Sequence, residues 1–251
     1  MLLLESKNSH ERDNHISFDE GPHIYTIDGD SNYMSVTTWN HSHFSHFDAD
    51  SVISNMMNSP KWPNSKYYGK TAEEIKTLWE NNGKEASTAG TKLHLDIEHY
   101  YNNIPVNNDS IEYKYFMNFV RDFPYLKPYR TEWMIWDNEL RFAGSIDMVY
   151  ENSDGTLLIY DWKRSKCINK TTPFMKFSHT DCISHIPDVN FWHYSLQLNT
   201  YKALIEKNYG KIVSAMALVC LHPNKSNYQL IAVPQLQIEI KDLFNLRKTM
   251  L

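Results

Sequence analysis

Between Arg130 and Lys163 the hydrophobic pattern loses any helical period and alternates instead. Arg130–Trp136, Leu140–Tyr150 and Thr156–Lys163 read as strands. Asp137-Asn138-Glu139 joins the first two, and the turn sequence Ser153-Asp154-Gly155 joins the last two. Links this short permit only an antiparallel meander, because a parallel return needs a crossover of a dozen or more residues.

Helical periods flank this meander. Thr71-Ala72-Glu73-Glu74 has the form of a capping box, so a helix starts there, with Gly83 expected to break it. Ala86–Tyr101 reads as a further helix carrying Leu93 and Ile97, and Ser110–Phe123 as another ending before Pro124. Downstream, Phe191–Tyr209 is a helix stopped by Gly210. Ile212–Leu221 and Tyr228–Val233 are strands, Gln237–Lys248 is a closing helix, and 165–190 is irregular. Upstream, His23–Ile27 and Tyr33–Thr38 flank Asp28-Gly29-Asp30 as a hairpin, followed by a short helix over Asp48–Met57. The expected class is α/β (α+β), a central mixed sheet flanked by helices. Residues 1–84 form an N-terminal hairpin and helical elaboration packed on a core of 85–251 in one unit.

Composition excludes several classes. At 41% hydrophobic and 22% charged residues the chain is globular rather than disordered. Its net charge of −5 argues against binding nucleic acid by bulk charge but leaves room for a local basic groove. The longest apolar run, Ala215–Leu221, is too short to span a membrane, and Glu5 ends the apolar start Met1–Leu4 too early for a secretory leader. Cys167, Cys182 and Cys220 contain no CxxC pair, so neither a disulfide framework, a four-cysteine zinc site nor an iron–sulfur cluster is expected. An intracellular, reducing location follows as the expectation.

The chemistry concentrates in Phe142-Ala-Gly-Ser-Ile-Asp147 and Leu157-Leu-Ile-Tyr-Asp161-Trp-Lys163. Side chains alternate along a strand, so Asp161 and Lys163 share a face, and antiparallel pairing brings Asp147 near Asp161. Two close carboxylates repel unless a divalent cation uses their oxygens. Such a cation supplies an activated water and polarises a phosphoryl oxygen, and a lysine beside it orients the water or stabilises developing charge. A bare DxK is also common on solvated strands; its position at the end of the apolar run Leu157-Leu-Ile sets this one at the rim of a buried sheet. His94 and Glu98, four apart, lie on one helix face behind Gly90, read as a point of close backbone approach. Gln197 and Tyr201 have the same spacing.

In this order the motifs resemble the PD-(D/E)xK nuclease superfamily, in the RecB-like branch that includes lambda exonuclease and the mitochondrial genome maintenance exonuclease. Gly90-Thr-Lys-Leu-His94 with Glu98 resembles the family's GxxxH helix, and Gly144-Ser-Ile-Asp147 its G-x-x-D strand. Asp161-Trp-Lys163 resembles the (D/E)xK strand, with Asp in place of the commoner Glu, and Gln197-Leu-Asn-Thr-Tyr201 the QxxxY helix. The likeness covers roughly residues 85–235. It implies a restriction-endonuclease-like core and one or two Mg2+ or Mn2+ ions. The ligands it implies are His94, Asp147, Asp161 and the Trp162 carbonyl. Lys163 would be catalytic with Asp161, Asp147 and Glu98, and Glu132 supporting. Gln197 and Tyr201 would hold DNA or brace the site, and Arg164 and Lys166 would begin a phosphate-tracking stretch. The implied activity is phosphodiester hydrolysis of DNA, as an exonuclease on single-stranded or duplex ends in replication, recombination or repair. A structure-specific or restriction-like endonuclease and an inactive DNA-binding module are the alternatives. A small free-standing nuclease of this kind suits a viral or phage source by analogy.

Overall fold

A computed structural model describes residues 3–172 and 174–251, so Met1 and Leu2 of the apolar start lie outside it. In chain order the elements are α1 (Leu4–Lys7), β1 (Ile16–Asp19), β2 (Ile24–Ile27), β3 (Met34–Ser35), α2 (Val36–His41), α3 (Ala49–Met57), α4 (Ala72–Tyr101) and α5 (Ile111–Asp122). They continue with β4 (Lys127–Asp137), β5 (Phe142–Glu151), β6 (Leu157–Lys163), α6 (Asn190–Asn208), β7 (Val213–Cys220), β8 (Gln229–Ala232) and α7 (Gln237–Lys248). Strands β3 to β8 form one mixed sheet in which β4, β5 and β6 are the expected antiparallel meander. β6 pairs with β7 in parallel, with α6 as the crossover between them. The α/β class and the mixed sheet flanked by helices are as the pattern predicted.

The sheet is buried on both faces, which its alternation explains. Leu157 and Ile159 of β6 pack with Leu196, Leu204 and Leu243 from α6 and α7. Leu158, Tyr160 and Trp162 point the other way, against Leu93, Ile97, Phe116 and Phe119 from α4 and α5. Leu93 and Ile97 form the buried stripe of α4. His94 and Glu98, one position further on, lie about 100° round the helix and emerge beside that contact. No helix among the described residues is long and apolar enough to cross a membrane.

Two local expectations need correction. Gly83 does not end a helix: α4 runs unbroken from its capping box, in which Thr71 Oγ1 accepts from Glu74 N and Glu74 Oε2 accepts from Thr71 N. A glycine costs only about 1 kcal/mol in an exposed helix, and the flanking turns outweigh it. The N-terminal hairpin also pairs differently. β2 runs against β1, which precedes it, with Asp19 opposite Ile24. Tyr33–Thr38 does not continue as a strand because Ser35 Oγ accepts from Thr38 N at 3.0 Å and starts α2.

Candidate active site

The backbone ladder opens where the conspicuous carboxylates sit. Pairing of β5 with β6 runs from Glu151–Leu157 to Met148–Tyr160 and stops. Just beyond, the Trp162 N–H donates to Asp147 Oδ2 at 2.9 Å. A strand residue's N–H and C=O face the same neighbour, so the Trp162 carbonyl points toward β5 as well. On the other side, β4 pairs with β5 through Thr131–Met148 and Trp133–Ile146 but skips Glu132, which the register sets opposite Asp147. Glu132 has φ 43°, a left-handed conformation that costs a non-glycine residue on the order of 1–3 kcal/mol. Backbone strain and like charges thus coincide at one point of the sheet.

His94 reaches this point from α4. Ligand atoms of His94, Glu132 and Asp147 lie within 4.8 Å of one another, the single such group among the described residues. His94 Nδ1 is 3.5 Å from Asp147 Oδ2, and Ser145 Oγ donates to Glu132 Oε2 at 2.9 Å. Burial, then the Asp147 charge, pushes the Glu132 carboxyl up to about 8, with the Ser145 hydrogen bond working the other way. One imidazole and two carboxylates that repel each other are a donor set a divalent cation fits.

Asp161 stands outside that group of three. It is 2% exposed, and its Oδ2 meets Lys163 Nζ at 2.7 Å but has no well-aligned hydrogen bond. Burial pushes its carboxyl up to about 6, opposed by Lys163 and reinforced by Asp147. Burial alone would discharge Lys163, but the charges of Asp161 and Asp147 prevail and hold it above the usual lysine range. Lys163 is therefore a fixed cation, suited to stabilising negative charge rather than to accepting a proton. The Tyr194 ring of α6 lies 4.7 Å from its Nζ.

The other expected residues divide. Glu98 lines the cleft that His94 and Glu132 open into, and burial raises its carboxyl. Gln197 Nε2 donates to Tyr201 Oη at 3.2 Å, but Tyr201 is only 3% exposed. Its assignment to DNA contact is corrected: it braces β5, because its ring lies against Gly144. A Cβ on Gly144 would stand 2.7 Å from Tyr201 Cε1. Gly144→Ala should therefore destabilise the protein by about 1–3 kcal/mol, the usual cost of overpacking, visible as a lower Tm. Arg164 is likewise not free for phosphate, since its Nε pairs with Glu112 Oε1 at 2.7 Å, whereas Lys166 is exposed. Gly90 meets no close neighbour; it borders the cleft, so packing does not explain it.

Tyr25 and Tyr194 adjoin the site without any warning in the sequence. Burial and then the Glu132 charge push the Tyr25 hydroxyl up to about 12, which places this β2 residue beside the carboxylates. Both tyrosines sit in unremarkable apolar patterns, and their proximity depends on contacts across more than one element.

No family model matches this chain, and no curated protein does. Among solved structures, one described as "Crystal structure of SSO0001" is similar with 16% identity and a TM-score of 0.40, covering 99% of this chain and 84% of the other. A second, from Eubacterium rectale and described as "Putative exonuclease", shows 7% identity and a TM-score of 0.39, covering 87% and 78%. Overlaps of that size carry no argument about activity.

Proposed function

We propose that this chain is a metal-dependent DNA nuclease, acting as an exonuclease on DNA ends. The observation that carries the reading is the convergence of His94, Glu132 and Asp147 where two strand ladders open, with the Asp161–Lys163 pair on the adjoining strand. The motif order found in the sequence supports the same conclusion.

In this reading His94, Glu132 and Asp147 hold Mg2+ or Mn2+, with Asp161 and the Trp162 carbonyl completing the set. The bound cation supplies an activated water and charge neutralisation at the phosphoryl oxygens. The chain's own contribution is positional. The Trp162 N–H fixes one oxygen of Asp147, and Ser145 fixes one of Glu132. Lys163, kept charged by Asp161, faces the developing negative charge. Exposed Lys166 and Lys170 follow the catalytic strand and carry the phosphate backbone of the strand being cut.

The nitrogen ligand makes a prediction of its own. Imidazole binds manganese more readily than magnesium. His94→Ala should lower cleavage with both metals and narrow any manganese advantage. An unchanged manganese-to-magnesium ratio in a well-folded variant would remove His94 from the ligand set.

A plasmid assay tests the activity. An exonuclease degrades the linear form and spares the closed circle. An endonuclease nicks the circle, and a binding module retards both forms and cuts neither.

A further inference from the structure

Beside the metal-binding group lies a cleft of about 780 Å3, walled by the β1–β2 hairpin on one side and α4 on the other, with His94 and Glu132 opening into it. Its volume is that of a small-molecule site, about 300–1,000 Å3, and too small for a duplex. Its charge is one-sided. Glu5, Asp13, Glu20, Glu98 and Glu132 border it against the single guanidinium of Arg130. That guanidinium is already neutralised: Arg130 Nη1 donates to Asp13 Oδ2 at 2.7 Å and to the Asn8 carbonyl at 3.0 Å. Glu5 and Glu20 are close enough for their charges to help raise the Glu98 carboxyl, after its burial. Between these groups the wall is apolar, formed by Ile16, Phe18, Leu95 and Met134. None of Lys163, Arg164, Lys166 and Lys170 borders the cleft.

The site is therefore asymmetric. A phosphodiester chain is welcome on the lysine side, beyond the end of β6, and unwelcome on the side of α4. What an acidic cleft with apolar walls accepts is the uncharged part of a nucleotide, the sugar and base. We infer that the cleft receives the terminal nucleoside of the strand, with the scissile phosphate at the metal group, and that the enzyme selects ends bearing a hydroxyl and rejects ends bearing a terminal phosphate. A terminal phosphate would carry nearly two charges into a cleft lined by carboxylates, where the low dielectric amplifies repulsion. This inference rests on the nuclease reading and adds the substrate's end chemistry to it.

Oligonucleotides of one sequence, carrying hydroxyls at both ends, a 5′-phosphate or a 3′-phosphate, test it in Mn2+. The expected result is that phosphate on the attacked end slows the first cleavage at least about tenfold, the ratio equivalent to 1.4 kcal/mol. The E5Q/E20Q double variant, altered only at exposed positions, should narrow that ratio. Equal or faster cleavage of the phosphorylated ends overturns the inference and leaves the nuclease reading standing. No cleavage of any oligonucleotide overturns the nuclease reading itself. A second measurement needs no turnover: thymidine and thymidine 5′-monophosphate are titrated into the protein in EDTA, with amide NMR shifts at Thr91, Leu95 and Ser145 as the readout. Thymidine should shift these amides at concentrations where the monophosphate does not. Tighter binding of the monophosphate, or no shift with thymidine, overturns the assignment of the cleft.

Discussion

Lys163→Ala is expected to reduce turnover on linear DNA by about 10²–10³-fold, the range seen when one preorganised donor is removed from a developing oxyanion. The loss should fall on kcat with KM nearly unchanged, because the ammonium is aimed at charge that grows in the transition state. The reason lies in its setting. Lys163 is held 2.7 Å from Asp161 beneath the Tyr194 ring, and two carboxylates keep it protonated. A lysine tuned to act as a base would be discharged by its burial. Lys163→Arg keeps the charge but replaces a compact ammonium by a planar fork, so it should recover only part of the rate. Steady-state kinetics on end-labelled DNA checks both variants, and wild-type turnover in Lys163→Ala would remove the residue from the mechanism.

The second large effect is a stability that runs opposite to ordinary acid denaturation. Glu132 titrates near 8 in the fold against an ordinary value of 4.5, and Asp161 near 6 against 3.8. In both cases the native state holds a proton that the unfolded chain has already released. Folding stability from these two groups is therefore fully present below pH 3.8 and is lost as pH rises, through 6 for Asp161 and through 8 for Glu132. The summed effect is on the order of a few kcal/mol, since one pKa unit corresponds to about 1.4 kcal/mol. Metal reverses the trend, because it binds the deprotonated carboxylates. In EDTA the Tm should fall between pH 6 and pH 8. With Mn2+ the fall should vanish, so the metal-induced rise in Tm grows with pH. Glu132→Gln should flatten the EDTA profile above pH 6 and shrink the metal-induced rise. Melting curves at several pH values decide this, and a metal-free Tm that climbs from pH 6 to pH 8 would contradict the electrostatics described above.

Much of this was legible in the chain because local patterns and global fold agree. The meander over β4 to β6, the capping box at Thr71 and the final helix all follow from nearest-neighbour chemistry. The N-terminal hairpin was misread because the Asp28-Gly29 turn signal competes with the Ser35 cap, and the cap prevails. At the site, alternation correctly put Asp161 and Lys163 on one face, and α4 spacing put His94 beside Glu98. Three things were out of reach. The prominence of Glu132 depends on a left-handed residue that interrupts a ladder, and no propensity announces it. Tyr25 and Tyr194 arrive from distant elements. The roles of Tyr201 and Arg164 turn on burial and pairing: the first is spent against Gly144 and the second on Glu112. Both look like free surface groups in a linear reading.

The central claim is that His94, Glu132 and Asp147 hold the cation that makes this chain a nuclease. The most direct test follows degradation of end-labelled linear DNA by metal-stripped protein while Mn2+ is added, for the natural chain and for Asp147→Asn. The account predicts no cleavage in excess EDTA, cleavage that rises with Mn2+ to saturation, and none at any Mn2+ concentration in a folded Asp147→Asn protein. Full cleavage in excess EDTA, or an Asp147→Asn variant that matches the natural chain, would contradict it.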